Sequence, residues 1–253
     1  MRLCHQLDNS ILDNLSKTQI IFKYIPFKYV LCMLRSNKMI FNKISSWDDV
    51  YENWLLKQHY LHKGETVDLR MIIDSIYAQS WTLADESDSM WRIYSNQSVC
   101  NCAIRVKTTV EKLLNLVSDE ACMDSVRIGK IKYQPQLWFD NFFRNNSSIK
   151  LSSFRKRFIE SSFYKRKAFD HEQEVRIIVE DPHERYLVDN HAEYEFNPLD
   201  TFMEYLIDPR LDDNESKYVR CLLESAGVNS SLIKVSTLYT LDPFIVTLLS
   251  GEK

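Results

Sequence analysis

Two carboxylates two residues apart, Glu172 and Glu174, stand at the start of an apolar run from Val175 to Val179. Burying an unpaired carboxylate costs several kcal/mol, so acids in that position need either partners or a purpose. On a strand, residues two apart share a face. Like charges on one face push one of the two pKa values up, a common device at acid/base sites. Lys165, Arg166 and Lys167 precede the pair and Arg176 follows it, so a solvated strand end neutralised by these cations is the competing reading. Two more groups have types suited to a polar site. Ser80 and Thr82 in Gln79-Ser80-Trp81-Thr82 place two hydroxyls on one strand face, and Lys23-Tyr24 places a cation and a phenol at the end of an early strand. Trp91, Arg92 and Tyr94 follow on a short helical stretch. Taken singly, each group also fits an ordinary half-exposed strand or a core helix.

The elements that must position these residues can be read from period and punctuation. Gln19–Tyr24 is expected as a strand stopped by Pro26, then a helix over Phe27–Asn37 and a short strand Lys38–Phe41. The acidic, aromatic run Trp47–Trp54 predicts a loop running into a helix turn. Apolar spacing predicts a helix over Thr66–Ala78, a strand Ala78–Leu83 and a short helix Ser87–Ser95. A strand Val99–Val106 precedes a helix Thr108–Cys122, opened by a capping box of Thr108 and Glu111. Val126–Tyr133 reads as a strand, followed after Pro135 by an aromatic helix, a long basic helix Ser152–Lys167 and the strand Glu174–Glu180. Short strands at 186–188, 194–196, 204–207 and 232–235 and a helix at 214–226 complete the chain. Strands and helices interleave irregularly, which defines an α+β class with short-stranded mixed and antiparallel sheets and flanking helices. Residues 1–18 are expected as an arm or short helix, and residues 19–253 as a single compact domain.

Composition removes several classes. Only 4 glycines occur in 253 residues, and neither GxGxxG nor GxxxxGK[ST] is present, so dinucleotide-fold and P-loop phosphate cradles are excluded. A net charge of −3 carries no global nucleic-acid signature. There is no secretory signal and no run of ~18 apolar residues, so a cytoplasmic protein off the membrane is expected. Its six scattered cysteines are then expected as reduced thiols, and no CxxC pair offers zinc a site. His59 and His62 could share a helix face, but no third ligand accompanies them.

Together, the early Lys23-Tyr24 strand, the Ser80-x-Thr82 strand and the Glu172-x-Glu174 strand resemble the three-part pattern of ADP-ribosyltransferases. The runs MIFNKISSWDDVYEN, QSWTLADESDSMWRIYS and KRKAFDHEQEVRII also resemble the bacterial family catalogued as domain of unknown function 2971 (DUF2971). That second resemblance covers roughly residues 20–240 and rests on Met90-Trp91-x-x-Tyr94 and on Phe169-x-x-Glu172-x-Glu174-x-Arg176. The first implies an ADP-ribosyltransferase-like fold with NAD as the substrate consumed. Glu174 would be the catalytic carboxylate and Glu172 would orient the acceptor. Ser80 and Thr82 would shape the nicotinamide-ribose pocket. Lys23 or Tyr24 would stand where that superfamily places Arg or His. Trp91, Arg92 and Tyr94 would line the ligand, with Arg92 as the phosphate-binding cation. A toxin or anti-phage effector would follow, with an antitoxin or chaperone as a possible partner.

Two other classes fit some of these residues. Asp88, Glu172 and Glu174 could hold Mg²⁺ in a metal-dependent nuclease, although Glu174 is followed by Val175-Arg176 and not by the Glu-x-Lys of one such fold. A non-catalytic nucleotide- or partner-binding module would use the aromatic residues alone. The basic segment Lys150–Lys167 is either a solvated helix face or the contact for a nucleic-acid acceptor.

Overall fold

The computed structural model describes residues 10–52, 54–95, 102–117, 126–145, 148 and 150–247. Its strands are β1 Ile20–Pro26, β2 Lys38–Lys43, β3 Tyr60–His62, β4 Glu65–Val67, β5 Ile76–Thr82, β6 Ala103–Thr109 and β7 Val126–Lys130. They continue as β8 Lys132–Gln134, β9 Tyr164–Arg166, β10 Glu174–Glu180, β11 Leu187–Val188, β12 His191–Glu195, β13 Glu204–Ile207 and β14 Ile233–Val235. The α-helices are α1 Phe27–Ser36, α2 Arg70–Ile73, α3 Asp88–Tyr94, α4 Val110–Val117, α5 Gln136–Asn145, α6 Phe154–Ser161, α7 Pro198–Thr201 and α8 Asp213–Ser225. The α+β class and the single domain are as expected. No helix among the described residues is long and apolar enough to cross a membrane.

One ten-stranded sheet dominates, ordered β11-β12-β2-β5-β1-β6-β13-β14, with β10 on β5 and β7 on β10. β10 runs antiparallel to β5 over seven residue pairs, from Glu174↔Thr82 to Glu180↔Ile76. It is buried on both faces: Val175, Ile177 and Val179 enter the larger apolar core, and Ile178 enters a second core with Ile44, Phe154 and Phe158. The other edge of β5 is divided. β2 pairs with it only at Tyr77 and Ala78, and β1 only where Phe22 meets Thr82. Beyond that point β1 diverges and pairs with β6 over all seven of its residues. The sheet therefore splits beside residues 79–81 of β5. Two side chains bridge the gap: Gln79 Nε2 donates to the Ile40 carbonyl at 2.8 Å, and Lys23 Nζ donates to the Ser80 carbonyl at 2.6 Å.

Three expected helices come out differently. Thr66–Ala78 holds a strand, a single helical turn and the start of β5, because the hairpin of β3 and β4 turns through Lys63 and Gly64, both at positive φ. His59 and His62 consequently share no helix face: His62 lies on β3 and His59 precedes it. The basic helix ends at Ser161. The hydroxyls of Ser161 and Ser162 both return to the Phe158 carbonyl, at 2.7 and 2.9 Å, competing with the helical ladder, and the chain continues as β9, parallel to β8. The helix after β6 begins two residues late. Thr108 stays in the strand, and Thr109 caps instead, its Oγ1 accepting from Lys112 N at 3.3 Å, so the Thr108/Glu111 box does not form. The expected strand and helix at 99–122 lie partly outside the described residues. Cys32 and Cys221 are exposed and Cys102 is buried.

Candidate active site at the split in the sheet

Glu174 opens β10, and the period of the strand puts Arg176 on the same face. Across the ladder Arg176 lies opposite Ser80. Glu172 does not belong to the strand. It ends a 3₁₀ turn, Lys167–Glu172, and Gln173 follows in the left-handed region at φ 42°. That conformation is costly for a residue with a Cβ, and it aims both acids at one place despite their different backbones. Thr82 holds the turn: its Oγ1 donates to the Glu172 carbonyl at 2.6 Å and accepts from Ala84 N at 3.0 Å.

The carboxylate of Glu174 is 3% exposed and fully engaged. Oε1 accepts from Ser80 Oγ at 2.5 Å and from Arg176 Nε at 2.8 Å, and Oε2 accepts from Arg176 Nη2 at 3.0 Å. Lys165 Nζ is 3.4 Å away and closer to two further acids, Glu172 at 2.7 Å and Glu52 at 2.9 Å. Arg176 also binds Glu52 at 2.9 Å, donates to the Ser162 carbonyl and lies 4.2 Å from the centre of the Trp47 ring. Three carboxylates thus share two directly bonded cations, and the Lys23 ammonium acts on Glu174 as a third positive charge.

Burial pushes the Glu174 carboxyl up, but Arg176, Lys165 and the Ser80 hydroxyl outweigh it and hold the group below the ordinary carboxylate range. The expected upward push from a neighbouring acid is therefore reversed, because the cations were drawn into the same pocket. Glu174 is a fixed anion at neutral pH. Burial lowers Lys23 to about 8, opposed by Glu174, and raises Tyr24 to about 12. Tyr94 is raised, again chiefly by burial and then by Glu172 and Glu174.

These groups border a small cleft. Lys23, Tyr24, Ser80, Thr82, Tyr94, Glu172 and Glu174 all line it, with Phe22, Trp81 and Met90. Tyr24 and Tyr94 stack with centres 6.3 Å apart and planes 17° apart, and Tyr24 Oη accepts from Ser87 N at 3.1 Å. Two of the sequence-selected residues are not brought there. Trp91 is wholly buried, edge-on to Tyr24, with its indole N–H on Glu86 at 2.8 Å. Arg92 points outward and pairs with Asp88 at 2.9 Å. That ion pair also takes Asp88 out of the three-carboxylate set a nuclease would need, while Glu172 and Glu174 are already bridged by Lys165.

Three participants were not singled out for this place. Glu52 comes from the acidic, aromatic loop, 124 residues from its partner Arg176. Tyr133 Oη accepts from Glu174 N at 2.8 Å. Lys165, counted with the basic segment, turns inward. Of the other cations there, Arg155 pairs with Glu180, and Arg166 pairs with Asp49 and lies over Tyr51 and Phe169. Lys150, Lys156, Arg157 and Lys167 remain exposed.

No family model matches the chain, so the DUF2971 resemblance gains no support from one. No curated protein matches either. Among solved structures the chain is similar to Thermus sp. 2.9 DarT in complex with ADP-ribosylated ssDNA, at 8% identity and TM-score 0.40, covering 88% of this chain and 97% of that one. The same protein in complex with NAD+ gives 8% identity and TM-score 0.40, over 88% and 98%. In complex with carba-NAD+ it gives 8% and 0.36, over 87% and 95%. The likeness is remote.

Proposed function

We propose that the cleft binds NAD and that the protein transfers ADP-ribose from it to a macromolecule. The observation that carries this reading is Glu174: an anion kept ionised inside a cleft, bound by a serine hydroxyl and walled by two tyrosines. Breaking the bond between nicotinamide and ribose C1′ sends the electron pair out on nicotinamide and leaves oxocarbenium character on the ribose. A preorganised negative charge beside that carbon stabilises it without reorganisation. The ribose 2′-hydroxyl would replace the longest Glu174 contact, Lys165 at 3.4 Å. Tyr94, with Tyr24 stacked against it, offers a face to the nicotinamide ring, Ser80 holds the Glu174 carboxylate, and Thr82 holds the turn that carries Glu172. Glu172, beside the mouth, would receive the acceptor's proton as its oxygen or nitrogen bonds to C1′. The exposed Lys150, Lys156, Arg157 and Lys167 favour a nucleic-acid acceptor. Such an activity suits a cytoplasmic toxin or anti-phage effector with a neutralising partner.

The test is incubation with NAD labelled on the adenylate, with cellular RNA, DNA and protein supplied separately. Label is expected in one acceptor class with wild type and in none with Glu174→Gln. Absence of transfer to all three, with no relief of toxicity by Glu174→Gln, ends this reading. Divalent-metal-dependent cleavage of nucleic acid would put a nuclease in its place, and a 1:1 nucleotide complex without turnover a binding module.

A further inference from the structure

Lys23 sits at the branch of the sheet, and its amine is already engaged. Nζ donates to the Ser80 carbonyl at 2.6 Å, across an edge of β5 where neither β1 nor β2 supplies a ladder partner, and lies 5.7 Å from the centre of the Trp81 ring. Ser80 is the residue whose hydroxyl meets Glu174 at 2.5 Å. One residue thus receives the lysine on its main chain and presents its side chain to the carboxylate. A cation reserved for a ligand phosphate would stand free at the mouth. This one spans the floor of the split.

We infer that Lys23 is a positioning residue for the proposed reaction, a charged strut that ties β1 to β5 and sets the Ser80 hydroxyl on Glu174, and not a phosphate-binding cation. The inference rests on the reading of the cleft as an NAD site. The charged and titratable groups around the amine are Glu174 from β10, Glu172 from the preceding turn, Tyr24 on β1 and Tyr94 on α3, with Arg105 of β6 directed away toward Asp85 and Glu204. Only Glu174 supports the positive charge, and burial lowers the amine to about 8. Deprotonation weakens the bond to Ser80, since charge-assisted hydrogen bonds are roughly twice as strong as neutral ones, and removes a positive charge from beside Glu174. Lys23 thereby couples the geometry of the site to pH.

The measurement is nicotinamide release from NAD across mildly acid to alkaline pH, with kcat and KM separated, for wild type, Lys23→Met and Lys23→Arg. The strut requires wild-type kcat to fall above about pH 8. Lys23→Met should lose about tenfold in kcat, the worth of one hydrogen bond to a charged group, with KM for NAD little changed. Lys23→Arg should keep part of kcat and lose the alkaline fall. A rise in KM exceeding the fall in kcat would overturn the inference in favour of a phosphate contact, as would an alkaline limb that survives in Lys23→Arg. Amide hydrogen exchange at Ser80–Thr82 provides a readout independent of NAD: Lys23→Met must lose protection there, and unchanged protection rejects the strut. Wild type that releases no nicotinamide, together with this loss of protection in Lys23→Met, would sink the NAD reading and leave the strut standing.

Discussion

Two clusters of buried charge on the sheet, one around Glu174 and one around Glu204, are built differently. Glu204 accepts from Arg105 at 2.8 Å and from Lys234 at 2.7 Å, and Arg105 also meets Asp85 at 2.9 Å, so two acids face two bases. Burial raises the Glu204 carboxyl, and Lys234 and Arg105 bring it below the ordinary range, just as at Glu174. A depressed carboxylate pKa is therefore no mark of a site by itself. What separates the clusters is the Ser80 hydroxyl and the cleft beside Glu174. One cluster holds strands together; the other holds a charge ready.

Parallel substitutions break or sharpen that contrast. Glu174→Gln and Glu204→Gln each leave buried cations short of a partner, at a cost of about 3–5 kcal/mol, read from urea midpoints. Only Glu174→Gln should also lower nicotinamide release per folded molecule, by about 10²-fold or more. An equal loss in Glu204→Gln would erase the distinction. Arg176→Met leaves Glu174 and Glu52 facing each other with Lys165 alone, and a stability loss of the same ~3–5 kcal/mol is expected, checked by thermal unfolding with Lys234→Met as the milder, half-exposed counterpart.

The hydroxyls make a finer comparison. Ser80 donates to Glu174, and Ser95 donates to the buried Asp208 that pairs with Arg210. Each alanine replacement should cost about 1.5–3 kcal/mol, but only Ser80→Ala should slow nicotinamide release, by roughly tenfold. Acid should affect both clusters alike. Glu174, Glu204 and Asp208 are held below their ordinary values, so their contribution to stability is complete above about pH 4.5 and is lost as pH falls through the folded-state values. Denaturant midpoints at neutral and acid pH read this, and Glu174→Gln should flatten the acid slope. The smallest effect is expected at Gln173, where φ is 42°. Gln173→Gly should stabilise by up to about 1 kcal/mol by relieving the left-handed conformation, less the added freedom of the unfolded chain.

The pieces that could be read from sequence were those with local signals. Charge beside an apolar strand marked Glu172 and Glu174, and two-residue spacing marked Ser80 and Thr82. Their meeting with Lys23 and Tyr24 depends on strand order, which no local pattern states. Glu52 and Tyr133 act across long sequence separations and look like ordinary loop and strand residues. Trp91 and Arg92 show the opposite limit: helical spacing places a residue on a helix but leaves open whether it faces a cleft, a core or solvent. Lys165 was legible as charge and hidden as structure, because Ser161 and Ser162 end the basic helix and send the chain into β9.

The central claim, that Glu174 is an ionised carboxylate poised beside a reacting ribose, is tested most directly by nicotinamide release from NAD at neutral pH, comparing wild type with Glu174→Gln at matched folded fraction. Release by wild type and a fall of about 10²-fold or more in the variant is the expected result. Release that persists at the wild-type rate in Glu174→Gln, or none from folded wild type with every acceptor class supplied, would contradict it.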